Sequence, residues 1–114
     1  MKKIIKILII IICVSSLAAC SKKEERTLND ILKEDNYIII DVRTEEEYNA
    51  EHVKDSINIP YDEINKDTKL DKNKTILVYC KSGVRSNKAY TTLKNLGYDV
   101  VDLGAFDKIE LDKE

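Results

Sequence analysis

The sequence predicts an α/β fold: a small parallel sheet of about five strands flanked by helices. Three observations carry that expectation. Two apolar runs, Tyr37-Ile38-Ile39-Ile40-Asp41-Val42 and Thr75-Ile76-Leu77-Val78-Tyr79, are rich in β-branched residues and show no polar alternation, as strands buried on both faces do. Stretches with helical spacing separate the strand-like runs, which implies right-handed crossovers and a parallel sheet covered on both sides. The chain has 114 residues, enough for one compact domain and too few for two.

The elements follow in order. Thr27 is placed to cap a helix whose apolar residues are Leu28, Ile31 and Leu32. The first buried strand covers 37–42. Thr44-Glu45-Glu46-Glu47 has the pattern of a capping box and opens a short helix through Tyr48. Ser56-Ile57-Asn58-Ile59-Pro60 reads as a short strand ended by the only proline, and 61–65 as one or two helical turns. The second buried strand runs straight into Cys80. Ala89, Leu93 and Leu96 fall at i, i+4 and i+7, which marks a helix over 86–96, and Gly97 stands where a C′ residue belongs. Asp99-Val100-Val101-Asp102-Leu103 is the last strand.

The first residues read differently. Met1-Lys2-Lys3 and Lys6 make a basic start, residues 7–14 are almost wholly apolar, and Ser15-Ser16-Leu17-Ala18-Ala19-Cys20 follows. That is the pattern of an export signal, and it stops short of the ~20 apolar residues a membrane-spanning helix needs. Leu17-Ala18-Ala19-Cys20 resembles the lipobox of bacterial lipoproteins. The resemblance implies a signal peptide over 1–19 and a lipidated Cys20 carrying acyl chains such as palmitate. Residues 20–26 then form a polar tether to a domain over 27–114, and the protein sits on the extracytoplasmic side of a bacterial membrane. Each buried methylene adds ~0.8 kcal/mol to such an anchor.

Two consequences follow for charge and for cysteine. Losing Lys2, Lys3 and Lys6 from 19 basic residues leaves 16 against 21 acidic ones, a net charge of −5. A mildly acidic domain argues against nucleic acid as a partner. Of the three cysteines, Cys13 leaves with the leader and Cys20 takes lipid, so Cys80 alone stays a thiol. Exported domains use cysteines in pairs; a single one is either reactive or a buried apolar filler.

Its setting favours the reactive choice. Cys80 lies between a strand end and a helix start, where parallel sheets bind ligands. The helix N-terminus offers unpaired N–H groups and partial positive charge. Gly83 lets Cys80-Lys81-Ser82-Gly83-Val84-Arg85 curl into an anion-binding nest, and Lys81 and Arg85 add full charges. All of this favours thiolate over thiol. A thiolate so placed attacks either phosphorus or the outer sulfur of a donor. Cysteine phosphatases have five residues between cysteine and arginine; here four intervene, and the smaller ring suits a single sulfur atom better.

The segment Tyr79-Cys80-Lys81-Ser82-Gly83-Val84-Arg85-Ser86 resembles the active-site loop of rhodanese domains. Asp41-Val42-Arg43 with Glu47-Tyr48 is similar to the family's first motif. His52-Val53 with Ser56-Ile57-Asn58-Ile59-Pro60 resembles the second. Leu96-Gly97-Tyr98 and Val100-Val101-Asp102-Leu103-Gly104 resemble the closing strand. The resemblance implies a sulfurtransferase. Cys80 would take a sulfane sulfur from an anionic donor such as thiosulfate as a persulfide and yield it to a thiol acceptor. Residues 81–86 (Lys81, Ser82, Gly83, Val84, Arg85, Ser86) would bind the substrate. The chemistry needs no metal or cofactor, and a monomer is expected. Glu51, Asp55-Ser56 and Gly104-Ala105 depart from the family's usual residues, which leaves the loop shapes open. The alternatives are a sulfur carrier or redox relay without general turnover and, against the loop length, a phosphatase or arsenate-reductase relative.

Asp41 and Arg43 look catalytic by type, but no proton transfer here requires them; a structural pair near the site is the expectation. His52, the only histidine, is expected to bridge a turn. Glu45, Glu46 and Glu47 read as an acidic first helical turn.

Overall fold

The computed structural model describes residues 26–114. The expected leader over 1–19, the lipidation site Cys20 and the tether up to residue 25 lie outside the described residues. Two units divide between Glu34 and Asp35. Helix α1, Leu28–Glu34, belongs to the first. Thr27 caps it as expected: Thr27 Oγ1 accepts from the Asp30 N–H at 3.2 Å, and the Asp30 carboxylate accepts from the Thr27 N–H at 3.3 Å.

The second unit holds the sheet. Strands β1 (Tyr37–Asp41), β2 (Ile57–Asn58), β3 (Thr75–Cys80) and β4 (Asp99–Ala105) are all parallel and lie in the order β2-β1-β3-β4. The sheet therefore has four strands where about five were expected. Beyond β4 the charged segment 112–114 lacks the β-branched residues that fill a pleated surface. It makes one antiparallel bridge, Val53 with Lys113, flanked by main-chain bonds at His52 and Lys54.

β3 is central and all six of its residues are buried. Ile76, Val78 and Cys80 face one side, packed with Ile40, Val42, Ala89, Leu93 and Val100. Leu77 and Tyr79 alternate to the other side, as the period of a strand requires. Helix α2 (Glu45–Ala50) opens with the complete capping box of Thr44 and Glu47. Helix α3 (Val84–Asn95) starts two residues before the expected 86, because Gly83 at φ +100° turns the chain and serves as its N-cap. Single 3₁₀ turns cover Tyr61–Glu63 and Phe106–Lys108.

From β1 the chain crosses to β2 on one side and returns to β3 on the other. Asp41 pairs in register with Tyr79. The carboxyl ends of β1 and β3 thus meet at the point where the strand order reverses, the place where such sheets bind ligands. Arg43 and the Cys80 loop both emerge there.

Candidate active site

Cys80 ends β3 with its side chain fully buried. The loop folds back over it. The Gly83 N–H donates to Cys80 Sγ at 2.9 Å. Ser86 Oγ lies 3.5 Å from the sulfur and donates to the Gly83 carbonyl at 3.1 Å. This is the inward-facing nest expected from Gly83, closed by the first turn of α3. Burial pushes the thiol pKa up. The Ser86 hydroxyl, which accepts from the thiol and can turn its one proton from the Gly83 carbonyl to a thiolate, and the main-chain N–H groups of Ser86, Gly83 and Ser82 outweigh it, so the Cys80 pKa falls below that of an ordinary thiol. The larger part of the lowering comes from these neutral dipoles; Arg85, whose own pKa the Cys80 charge helps to raise, adds to it, and Lys81 stands exposed at the rim.

The two cations have separate fates. Lys81 is exposed, as are Ser82 and Val84. Arg85 reaches across to α2 and grips Glu47 with both terminal nitrogens, Nη1 to Oε1 at 2.7 Å and Nη2 to Oε2 at 3.1 Å. Glu47 is itself held by the helix cap: the Thr44 hydroxyl and N–H both donate to Oε1, at 3.1 and 3.3 Å. The Arg85 hydrogen bonds hold the Glu47 carboxyl down at about 2, against a smaller opposing effect of burial. Composition and pattern explained Glu47 fully as a capping residue, so its second partner left no separate mark in the sequence.

Asp41 and Arg43 form a second, buried cluster beside the loop. Arg43 Nη2 lies 2.6 Å from Asp41 Oδ2, and its Nε donates to both carboxylate oxygens at 3.0 Å. Nη2 also donates to the Glu51 carbonyl at 2.6 Å, and the guanidinium stacks 4.4 Å above the Phe106 ring. Tyr79 completes the cluster. Its hydroxyl donates to Asp41 Oδ2 at 2.9 Å, accepts from the Val53 N–H at 3.0 Å and meets Ser56 Oγ at 3.2 Å. Burial, more than its neighbours, pushes the Tyr79 phenol up to about 12. Tyr79, Ser56 and Phe106 are the members that sequence reasoning missed; nothing in their local pattern separates them from core residues. Arg43, Glu47, Lys81 and Phe106 border an open cleft of about 290 Å³ next to the loop.

His52 bridges a turn. Its Nδ1 is 2.8 Å from the Tyr48 carbonyl and its ring stacks on Tyr48 at 3.9 Å. Its Nε2 lies 3.5 Å from Glu114 Oε1, while the Cys80 sulfur is engaged by Gly83 and Ser86, so no cysteine–histidine hydrogen bond is built among the described residues. Among the described residues no cluster of ligating side chains could hold a metal ion.

Comparison with known proteins agrees with this geometry. The family model for the rhodanese-like domain matches residues 24–110. Over 66 residues the chain is 42% identical to thiosulfate sulfurtransferase PspE of Escherichia coli, covering 55% of this chain and 64% of PspE. Over 61 residues it is 39% identical to a tRNA sulfurtransferase of Thermoplasma acidophilum, covering 53% of this chain and 12% of that protein. The matches thus span less than two thirds of the length of both relatives. Among solved structures, a rhodanese with anions from E. coli superimposes with a TM-score of 0.63 at 38% identity, covering 68% of this chain and 96% of that one. With its sheet, its loop and the span of the family match in agreement, the chain belongs to the rhodanese-like domain family.

Proposed function

We propose that this protein is a sulfurtransferase that loads a sulfane sulfur onto Cys80 from an anionic donor such as thiosulfate and passes it to a thiol acceptor. The observation that carries the reading is the Gly83 N–H set on Cys80 Sγ at 2.9 Å, in a loop whose hydrogen bonds favour the thiolate. The Cys80 thiolate attacks the outer sulfur of thiosulfate. A new S–S bond forms, the bond from that sulfur to the sulfonate breaks, and sulfite leaves with the electron pair. The persulfide keeps one negative charge, which the N–H groups of residues 82–86 are arranged to meet. An acceptor thiolate then attacks the outer sulfur and regenerates the Cys80 thiolate. Two half-reactions through one covalent intermediate predict ping-pong kinetics. Lys81, exposed at the rim, attracts the anionic donor, while Asp41 and Arg43 hold the strand ends beneath it.

The lipobox-like Leu17-Ala18-Ala19-Cys20 supports anchoring through lipid on Cys20, facing the extracytoplasmic side. Metabolic labelling with a fatty-acid analogue should tag the wild type and leave Cys20→Ala unlabelled.

Purified protein incubated with thiosulfate should gain one sulfur atom by intact mass and release thiocyanate on addition of cyanide. Cys80→Ser should do neither. Wild-type protein with no adduct and no thiocyanate would overturn the reading. A sulfur carrier without general turnover is the second reading, favoured by the full burial of Cys80 and the open shape of the adjoining cleft. It predicts the adduct with negligible turnover.

A further inference from the structure

The Arg85–Glu47 pair has a consequence for which donors the site accepts. Arg85 brings a full positive charge to the end of the loop, where the Cys80 thiolate, after the larger effects of Glu47 and burial, adds to the raising of the Arg85 pKa. That charge is met by a carboxylate through two hydrogen bonds at 2.7 and 3.1 Å. The carboxylate cannot easily turn away, because Thr44 fixes the same Oε1 through its hydroxyl and its N–H. The side chains of Arg85 and Glu47 are 26% and 28% exposed, so the pair is screened only in part by water. Of the loop's two cations, Lys81 alone then offers an unneutralised charge to an incoming anion.

Building on the sulfurtransferase reading, we infer that Glu47 is a specificity-determining residue that cancels the charge of Arg85 and tunes the site towards singly charged sulfur donors over doubly charged ones. The physical reason is the distance law. A carboxylate bound to the guanidinium turns a long-range monopole into a short-range dipole, and the attraction lost is proportional to the donor's charge. A dianion such as thiosulfate loses twice what a monoanion loses. Glu47 binds Arg85 through both carboxylate oxygens and borders the cleft, and its part in selectivity is to cancel charge.

Thiosulfate and methanethiosulfonate make a matched pair of probes. Both present a terminal sulfur on an oxidised sulfur atom; the first carries two negative charges and the second one. Attack by the Cys80 thiolate releases sulfite from the first and methanesulfinate from the second, with the same Cys80 persulfide and the same total charge on each side. The rate of single-sulfur addition to Cys80, followed by intact mass in stoichiometric mixtures, reads the chemistry without needing turnover. Glu47→Gln should raise the thiosulfate-to-methanethiosulfonate rate ratio about 3- to 10-fold at low salt and less at high salt, as expected for exposing one partly screened charge. Glu47→Asp, which keeps the carboxylate, should stay near the wild-type ratio. Arg85→Gln alone should lower the ratio, since it leaves the Glu47 carboxylate uncompensated, and Arg85→Gln with Glu47→Gln, which removes both charges of the pair, should return it near the wild-type value. A helix merely weakened by Glu47→Gln would slow both donors alike, so an unchanged ratio overturns the inference. Failure of either donor to load sulfur on wild-type Cys80 instead overturns the sulfurtransferase reading on which the inference stands.

Discussion

Gly83 donates its N–H to Cys80 Sγ at 2.9 Å while holding a backbone conformation, φ +100°, that side chains resist. The hydrogen bond and the dihedral are one device, since only this turn aims the N–H inward. A methyl group at Gly83 would meet nothing closer than Gly104 Cα at 3.8 Å, so the obstacle to alanine is the dihedral and not space. Gly83→Ala should therefore cost about 1–2 kcal/mol of stability and slow sulfur loading on Cys80. Thermal unfolding and adduct formation by mass spectrometry measure the two effects separately.

Ser86 supplies the side-chain hydrogen bond that lowers the Cys80 pKa. The reactive form accumulates as pH rises through that pKa, so wild-type alkylation by iodoacetamide should reach half its plateau below the pH of an ordinary thiol. Ser86→Ala removes the hydroxyl and should move the midpoint to higher pH with little change in the plateau. An unmoved midpoint would show that the main-chain N–H groups suffice.

Tyr79 predicts an alkaline limit. Its phenol is raised from 10.0 to about 12, so the folded protein holds this proton more tightly than the unfolded chain. The stabilisation is complete below pH 10 and is lost as pH rises through about 12. Tyr79→Phe should flatten that part of the stability curve. At neutral pH it should cost about 1–3 kcal/mol, because the Val53 N–H and the Asp41 carboxylate each lose a buried partner. Urea denaturation at several pH values tests both.

Arg43 neutralises a fully buried carboxylate. Arg43→Met should cost about 3–5 kcal/mol by leaving Asp41 unpaired, whereas Asp41→Asn with Arg43→Met together should recover part of the loss. Denaturant midpoints of the two variants decide the matter. Equal destabilisation would mean that lost packing against Phe106, and not the stranded charge, sets the cost.

The parts of this protein written in local pattern were legible. The β-branched runs gave β1 and β3, the Thr44–Glu47 spacing gave the cap of α2, and Cys80 with Gly83 gave the loop. The fold class follows from those alone. What stayed hidden depends on residues far apart in the chain. Tyr79 and Asp41 are 38 positions apart, as are Glu47 and Arg85, and no periodicity links them. The four segments read as strands are the four strands found, and the expected total of about five went one beyond them. The lowered Cys80 pKa was legible in direction, but the cations were given too much weight for a related reason: nearby cations are visible in a sequence, while the carboxylate that engages one of them is not.

Strand β3 places its last two side chains on opposite sides of the sheet, the Tyr79 phenol with the Asp41–Arg43 cluster and the Cys80 sulfur with the loop and the α3 side of the core. The strand therefore acts as a parity device. Replacing a residue within 75–78 disturbs packing on one face, but inserting or deleting one there inverts both faces at once. The thiol would then swing into the guanidinium cluster and the phenol into the nest. Tolerance of β3 to altered length should be far lower than its tolerance to altered composition, and the reactive sulfur is tied to the chain's count as firmly as to its chemistry.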